Sequence, residues 1–401
     1  MSDTEKNRIA DNVSDIPFSP IRKFFDIVSE MKEAISLGIG EPDFITPWHI
    51  RSAAIQSIKD GETSYSSNAG TIELRREISR YMQDRFKLNY APEHEILVTV
   101  GASEAIDLSL RALINPGDEV IIPDPSYVSY MPNVRLVHGV PVALPTFAEH
   151  NFRITPEQLK KAITPKTKAL ILPYPNNPTG AVMLKENLEA IAPIIKEADI
   201  MVISDEIYSE LTYSGEHSSI ASIDGMKERT IVINGFSKSF AMTGWRIGFV
   251  CTTPSIMNAV YKIHQYTIMC ASTMSQAAAC EAMRYNIDNN YEDIAKMRAS
   301  YDMRRRYIFN AFNKMGLKCF EPMGAFYVFP CIKSTGLSSD IFCERLLREK
   351  HVAVVPGSAF GESGEGYVRC SYAASLDNIK EAMKRIESFV SHIKASEEQA
   401  I

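Results

Sequence analysis

Between about residues 94 and 250 the chain alternates short apolar runs with helical stretches, and this alternation limits the fold more than any other feature. The runs are Ile96–Val100, Glu119–Ile122, Ala169–Leu172, Ile200–Ile203, Thr230–Ile233 and Ile247–Cys251. Most are rich in Val and Ile and lack strict polar alternation, as strands covered by helices on both faces should. Helical stretches such as Ser103–Ile114 and Leu184–Glu197 lie between them. Strand–helix alternation predicts an α/β fold with a mainly parallel sheet sandwiched by helices and joined by right-handed crossovers. The last third reads differently. Tyr291–Met315 is a charged helical stretch, strand-like pieces follow at Ala325–Phe329, Val352–Val355 and Tyr367–Ser371, and helical patterns occupy Ser339–Lys350 and Ser375–Ala395. That mixture predicts a second, smaller α/β domain.

Composition narrows the functions open to such a fold. Lys and Arg total 43 against 49 Asp and Glu, a net charge of −6 with no basic stripe, so nucleic acid is not an expected partner. The polar start MSDTEKNRIADNVSD lacks the apolar core of a signal peptide. No run approaches the roughly 18–20 apolar residues of a membrane span, so a cytoplasmic protein is expected. The seven cysteines form no C-x-x-C pair and the eight histidines no H-E-x-x-H motif, so neither a disulfide framework nor a metal site is expected.

Ligands of open α/β sheets bind at the carboxyl ends of the strands, so the residues that follow each run carry the functional signal. Gly101-Ala102-Ser103 follows the first run and opens a helix. Pro173 to Gly180, with Asn177 at its centre, follows Ala169–Leu172. Ser204-Asp205-Glu206-Ile207-Tyr208 follows Ile200–Ile203, and Asn234-Gly235-Phe236-Ser237-Lys238 follows Thr230–Ile233. Four strands thus bring Ser, Asn, Asp, Tyr and Lys to one edge. The Gly-x-Gly at 38–40 lacks the third glycine of a dinucleotide loop and carries no such meaning.

The segment SKSFAMTGWRIGF at Ser237–Phe249 resembles the lysine signature of class I/II pyridoxal-phosphate-dependent aminotransferases of fold type I. The NNPTG, SDEIY, VRCSYA, GEPDF and YSSNAG segments match the same family in order, over about Ile21 to Val390. The resemblance implies that Lys238 carries pyridoxal 5'-phosphate as a Schiff base and moves the proton between the substrate Cα and the cofactor. It implies Asp205 at the pyridine nitrogen, Tyr208 and Asn177 at the phenolic oxygen, and Tyr127 stacked on the ring. The phosphate falls to the N–H groups of Ala102 and Ser103, to Arg246, and to Tyr65 from a neighbouring subunit, which makes a homodimer with a shared site. Many relatives carry a serine where this chain has Gly235; Ser237 is expected to supply that hydroxyl. Arg369 is expected to clamp the substrate α-carboxylate, with Tyr127 and Asn177 beside the substrate and the Gly40 N–H on the same carboxylate. The division expected is an arm at 1–20, a small domain at 21–49 and 286–401, and a large cofactor domain at 50–285.

The substrate side chain is less constrained. The stretch His264–Gln276 contains no arginine for a distal carboxylate, so Arg22 or a polar group such as Tyr266 is the candidate for that role. SPIRKFF, KIHQY and VPGSAFG resemble bacterial alanine, aromatic and acetyl-diaminopimelate enzymes, so alanine, aromatic acids or aspartate with 2-oxoglutarate are the expected substrates. A C–S β-lyase of the same fold is the alternative. A cofactor-sensing regulator is more remote, since about twenty residues before the match leave no room for a DNA-binding domain.

Overall fold

The computed structural model describes residues 8–18, 31 and 33–398, with side chains to residue 395; Arg22 lies outside the described residues. Seven strands make the central sheet: β1 (Ile96–Thr99), β2 (Glu119–Asp124), β3 (Val140–Pro145), β4 (Thr167–Leu172), β5 (Met201–Asp205), β6 (Thr230–Gly235) and β7 (Gly248–Cys251). They stand in the order β1-β7-β6-β5-β4-β2-β3. All neighbours are parallel except β7, which runs antiparallel to both β1 and β6. β1, β6 and β7 are buried at every position, and β5 at all but its first, which is why their sequences do not alternate. β3 was not foreseen. It is an edge strand, VPVALP, with one buried residue, and its two prolines break up the Val/Ile pattern that marks the inner strands.

Helices cover both faces. Gly101–Leu113 buries Ala105, Ile106, Leu108 and Leu110 and packs on β6 and β7. Thr273–Asp288 packs on Trp48–Lys59 and Ile72–Phe86, and a second apolar cluster gathers these helices with the other face of β7. The last third builds its own sheet, in which Val368–Ser371 lies antiparallel between Val355–Pro356 and Tyr327–Val328. Val352–Ala353 instead pairs in parallel with Ile35–Ser36, so the expected single strand at 352–355 is two short strands in different sheets. These pieces share one core with the helices Glu292–Lys314, Ser339–Lys350 and Leu376–Glu398, and Tyr208 and Leu211 join it from the end of β5. Among the described residues no helix is long and apolar enough to cross a membrane.

The turn that leaves β5 is locked at two carboxylates. Glu206, buried, accepts hydrogen bonds from Ser204 Oγ at 2.8 Å, Ser219 Oγ at 2.5 Å and the His217 ring at 2.9 Å. Glu210, whose side chain is fully buried, receives Arg85 through Nε at 2.9 Å and Nη2 at 2.6 Å, and the Tyr81 hydroxyl at 2.8 Å. Removing the arginine leaves that carboxylate buried and uncompensated, a severe cost in a low-dielectric interior. Arg85→Met is expected to lower the unfolding free energy by about 2–4 kcal/mol in urea titration, somewhat less than a fully buried pair because Arg85 is partly exposed. A change below about 0.5 kcal/mol would mean that solvent screens the pair.

Candidate active site

The edge of the sheet formed by the carboxyl ends of its parallel strands opens into a cavity of about 360 Å³. Because β7 is antiparallel, its first residues reach the same edge, which places Arg246 beside the strand ends although it precedes its strand. Gly40, Ala102, Ser103, Tyr127, Asn177, Asp205, Tyr208, Ser237, Lys238, Arg246 and Arg369 all line the cavity. Two expected residues do not line it: Tyr65 is 81% exposed and Tyr266 86% exposed on this chain.

Lys238 sits on the four-residue helix Phe236–Ser239 directly after β6. Its ammonium donates to the Gly40 carbonyl at 2.6 Å and lies 5.7 Å from the centre of the Tyr208 ring. Burial brings its pKa down to about 8; the Arg369 and Arg246 charges push the same way, and Glu41 and Asp205 oppose them. An amine poised there is neutral often enough near pH 8 to act as a nucleophile or base.

Asp205 ends β5 and is buried, accepting from the Tyr130 hydroxyl at 2.8 Å and the Ile207 N–H at 3.2 Å. Burial pushes its pKa up to about 6, against the pull of both hydrogen bonds and of Lys238. Tyr130 was not among the expected site residues. Its signal was its place three residues beyond Tyr127, on the helix Tyr130–Leu136 that follows β2.

At the opposite wall Arg369 projects from Val368–Ser371 and is 3% exposed. Nη1 donates to Asn177 Oδ1 at 2.9 Å and Nη2 to the Gly38 carbonyl, while Nε is buried with no partner. Its guanidinium lies between the rings of Tyr327 at 4.5 Å and Phe360 at 4.9 Å. Among the described residues no carboxylate is within ion-pair distance of it. A buried guanidinium in this condition is a receptor for an anion. Asn177, its carbonyl oxygen taken by Arg369, keeps its amide N–H groups for the cavity. Gly40 is required for a reason the sequence did not disclose: a Cβ there would lie 2.7 Å from the Tyr327 hydroxyl.

The remaining end is built from close glycine packing. Gly101, at φ +72°, starts the helix Gly101–Leu113, and a Cβ on it would lie 2.6 Å from Arg246 Nη2. A Cβ on Gly248 would lie 2.8 Å from the Gly101 carbonyl carbon and 2.9 Å from the Ala102 nitrogen, so the strand lets the helix start approach its backbone. Gly235 belongs to the same contact, a Cβ on it being 3.0 Å from Gly248 Cα; Ser237 lines the cavity. The first N–H groups of the helix and the Arg246 guanidinium thus converge, the donor set of a phosphate site. Thr243 and Glu41, also unforeseen, line the cavity and meet at 3.0 Å, clasping residues 40–46 to the loop after Lys238.

A carboxylate, an amine beside a phenol and a phosphate cradle along one cavity fit a phosphorylated pyridine aldehyde. Among the described residues no group of His, Cys, Asp and Glu could hold a metal ion. The sequence profile described as aminotransferase class I and II matches residues 32–386. The Bacillus subtilis protein YugH, itself named only provisionally as an aminotransferase, is 52% identical over 95% of this chain and 98% of its own. The aspartate aminotransferase of Pyrococcus abyssi is 49% identical over 92% of this chain and 95% of its own. Among solved structures, the aromatic aminotransferase of Pyrococcus horikoshii OT3 superposes with a TM-score of 0.88 at 46% identity, covering 92% of this chain and 99% of that one.

Asp205 yields a pH prediction. Its folded pKa of about 6 exceeds the ordinary carboxylate value, so the native state binds the proton more tightly than the unfolded chain. Its ionisation therefore costs stability, progressively as pH rises from about 4 through about 6. Asparagine cannot ionise and can still accept from Tyr130. In ligand-free protein, Asp205→Asn is expected to gain up to about 2–3 kcal/mol at pH 8 relative to pH 4, measured by urea unfolding at both pH values. An equal effect at the two pH values would show that Asp205 ionises without cost.

Proposed function

The chain belongs to the aminotransferases of class I and II, and on that premise we propose that Lys238, Asp205 and Arg369 are the working groups of its pyridoxal-phosphate-dependent transfer of an amino group from an amino acid to a 2-oxo acid. The observation that carries the assignment is Arg369: a buried guanidinium with no carboxylate partner among the described residues, lining the same cavity as a lysine whose pKa is lowered.

When bound, pyridoxal phosphate supplies an electron sink for the pair released as the substrate Cα proton leaves. Lys238 would hold it covalently, and Arg246 with the Ala102 and Ser103 N–H groups and the Ser103 and Ser237 hydroxyls would hold its phosphate. Asp205, kept in place by Tyr130, would face the ring nitrogen, and its charge would favour the protonated ring. Tyr127 would stack on the ring, and Tyr208 and the Asn177 amide would donate to the phenolic oxygen. Arg369 would fix the substrate α-carboxylate, aided by the Gly40 N–H, so that the Cα–H faces Lys238. Lys238, freed by the incoming amine, would take that proton and return it to the cofactor carbon on the far side of the substrate nitrogen. The reaction alternates two half-reactions, so a ping-pong order follows.

Among the described residues three cations line the cavity, Lys238, Arg246 and Arg369, and each already has a role toward the cofactor or the α-carboxylate. Arg369 lies against the rings of Tyr327 and Phe360, and Tyr127 and Pro175 also line the cavity, with Glu41 acidic. That supports neutral donors, alanine or an aromatic amino acid, in the described part of the site. Aspartate, or 2-oxoglutarate as acceptor, needs a further cation, and Arg22 is the candidate. The relatives named for aspartate and for aromatic substrates bracket the same range. Homodimer formation is supported by the exposure of Tyr65, Ile268 and Met269, which lie in two segments joined by the Thr273–Glu62 and Gln276–Ser66 hydrogen bonds. A second copy covering that face would bring Tyr65 to the partner's phosphate site. The large unit at 50–285, the smaller one at 21–49 and 286–401, and a cytoplasmic location complete the reading.

Mixed with alanine or phenylalanine and no oxo acid, the enzyme is expected to release about one equivalent of 2-oxo acid per site and stop. Lys238→Ala is expected to lower kcat by at least about 10³-fold. Sustained release of ammonia with an amino acid alone would instead establish a lyase.

A further inference from the structure

Tyr327 lies outside every motif that marks the site, yet its hydroxyl is at the centre of it. The residue is 1% exposed and lines the cavity, and its hydroxyl has one hydrogen bond among the described residues, to the Tyr208 hydroxyl at 2.8 Å. The Tyr208 hydroxyl likewise has only this bond among the described residues. The Tyr327 ring is fixed independently, tilted against Phe326 with centroids 4.8 Å apart and facing the Arg369 guanidinium at 4.5 Å. Gly40 closes over its hydroxyl so tightly that no side chain could stand there.

Each phenol carries one hydrogen, and one bond joins the two oxygens, so the pair has two arrangements. If Tyr208 donates to Tyr327, its hydrogen is spent and it can only accept from the cavity. If Tyr327 donates to Tyr208, the Tyr208 hydrogen is free for a ligand, and its donation is strengthened because its oxygen is itself accepting. An anionic oxygen in the cavity favours the second arrangement.

We propose that Tyr327 is a positioning residue that donates to Tyr208 and thereby holds the Tyr208 hydroxyl hydrogen on the phenolic oxygen of the cofactor. This rests on the reading that Tyr208 donates to that oxygen. The consequence is electrostatic. Donation to the phenolic oxygen stabilises its anion, and that anion sets the pH at which the lysine-bound cofactor gains or loses its proton. The charged and titratable groups facing the pair are Lys238 after β6, Arg369 on Val368–Ser371 and Tyr127 after β2. A Tyr327→Phe change leaves all three, and the ring packing, in place.

The test is a pH titration of the visible absorption band of the holoenzyme without substrate, in wild type, Y327F, Y208F and Y208F/Y327F. Stabilisation of the anion lowers the midpoint, so loss of a donor raises it. Y208F is expected to raise the midpoint most, Y327F by about half to one pH unit, and the double variant no further than Y208F alone. An unchanged midpoint in Y327F while Y208F shifts would overturn the role of Tyr327 and leave the site assignment standing. A Y327F shift that persists in full on the Y208F background would overturn it as well, since Tyr327 would then act by another route. An unmoved midpoint in Y208F would remove the premise about Tyr208 itself.

Discussion

The feature on which the rest of the site depends is a positive charge buried, among the described residues, without a negative partner. Isolated charges are rarely tolerated in an interior, where desolvation costs several kcal/mol. Arg369 is accommodated by the side-chain carbonyl of Asn177, the main-chain carbonyl of Gly38 and two aromatic faces, none of which cancels its charge. Those groups come from the strand-end loop after β4, from the segment before Trp48–Lys59, and from the last third of the chain, where Tyr327 lies in the small sheet and Phe360 on the turn Gly357–Phe360. The charge is therefore held where three distant parts of the chain meet. Any loosening of that junction would admit water and weaken both its hold on an anion and its effect on Lys238.

That effect links the ends of the cavity. Arg369 and Arg246 both act to discharge Lys238, and Asp205 and Glu41 both act to keep it charged. Burial moves the lysine down and the aspartate up, so both groups titrate nearer neutrality than free side chains would. Groups tuned in this way belong to a site that exchanges protons. A core lysine of purely structural duty would be expected to pair with a carboxylate, whereas Lys238 donates to the carbonyl of Gly40.

The sequence made the sheet and the main site residues legible because both depend on local patterns. Buried strands declare themselves as Val/Ile runs, and the residues after them fall at the sheet edge by topology. The direction of β7 was not legible, since nothing local in GFVC distinguishes an antiparallel strand. Nor was β3, whose exposed edge position leaves a pattern too weak to separate from a loop. Tyr130 and Tyr327 were missed because their roles are pairwise. Each acts through a hydroxyl-to-side-chain bond spanning more than seventy residues, to Asp205 and to Tyr208, and no spacing rule reports such a contact.

The central claim is that the missing counter-ion of Arg369 is the α-carboxylate of the substrate. Equilibrium titration of the holoenzyme with 3-phenylpropanoate, a monocarboxylate without an amino group to react, isolates that contact. Wild type is expected to bind it, and Arg369→Lys, which keeps the charge but loses the fork, is expected to bind it at least about tenfold more weakly. Equal affinity in the two proteins would contradict the account, and the carboxylate would then be held elsewhere.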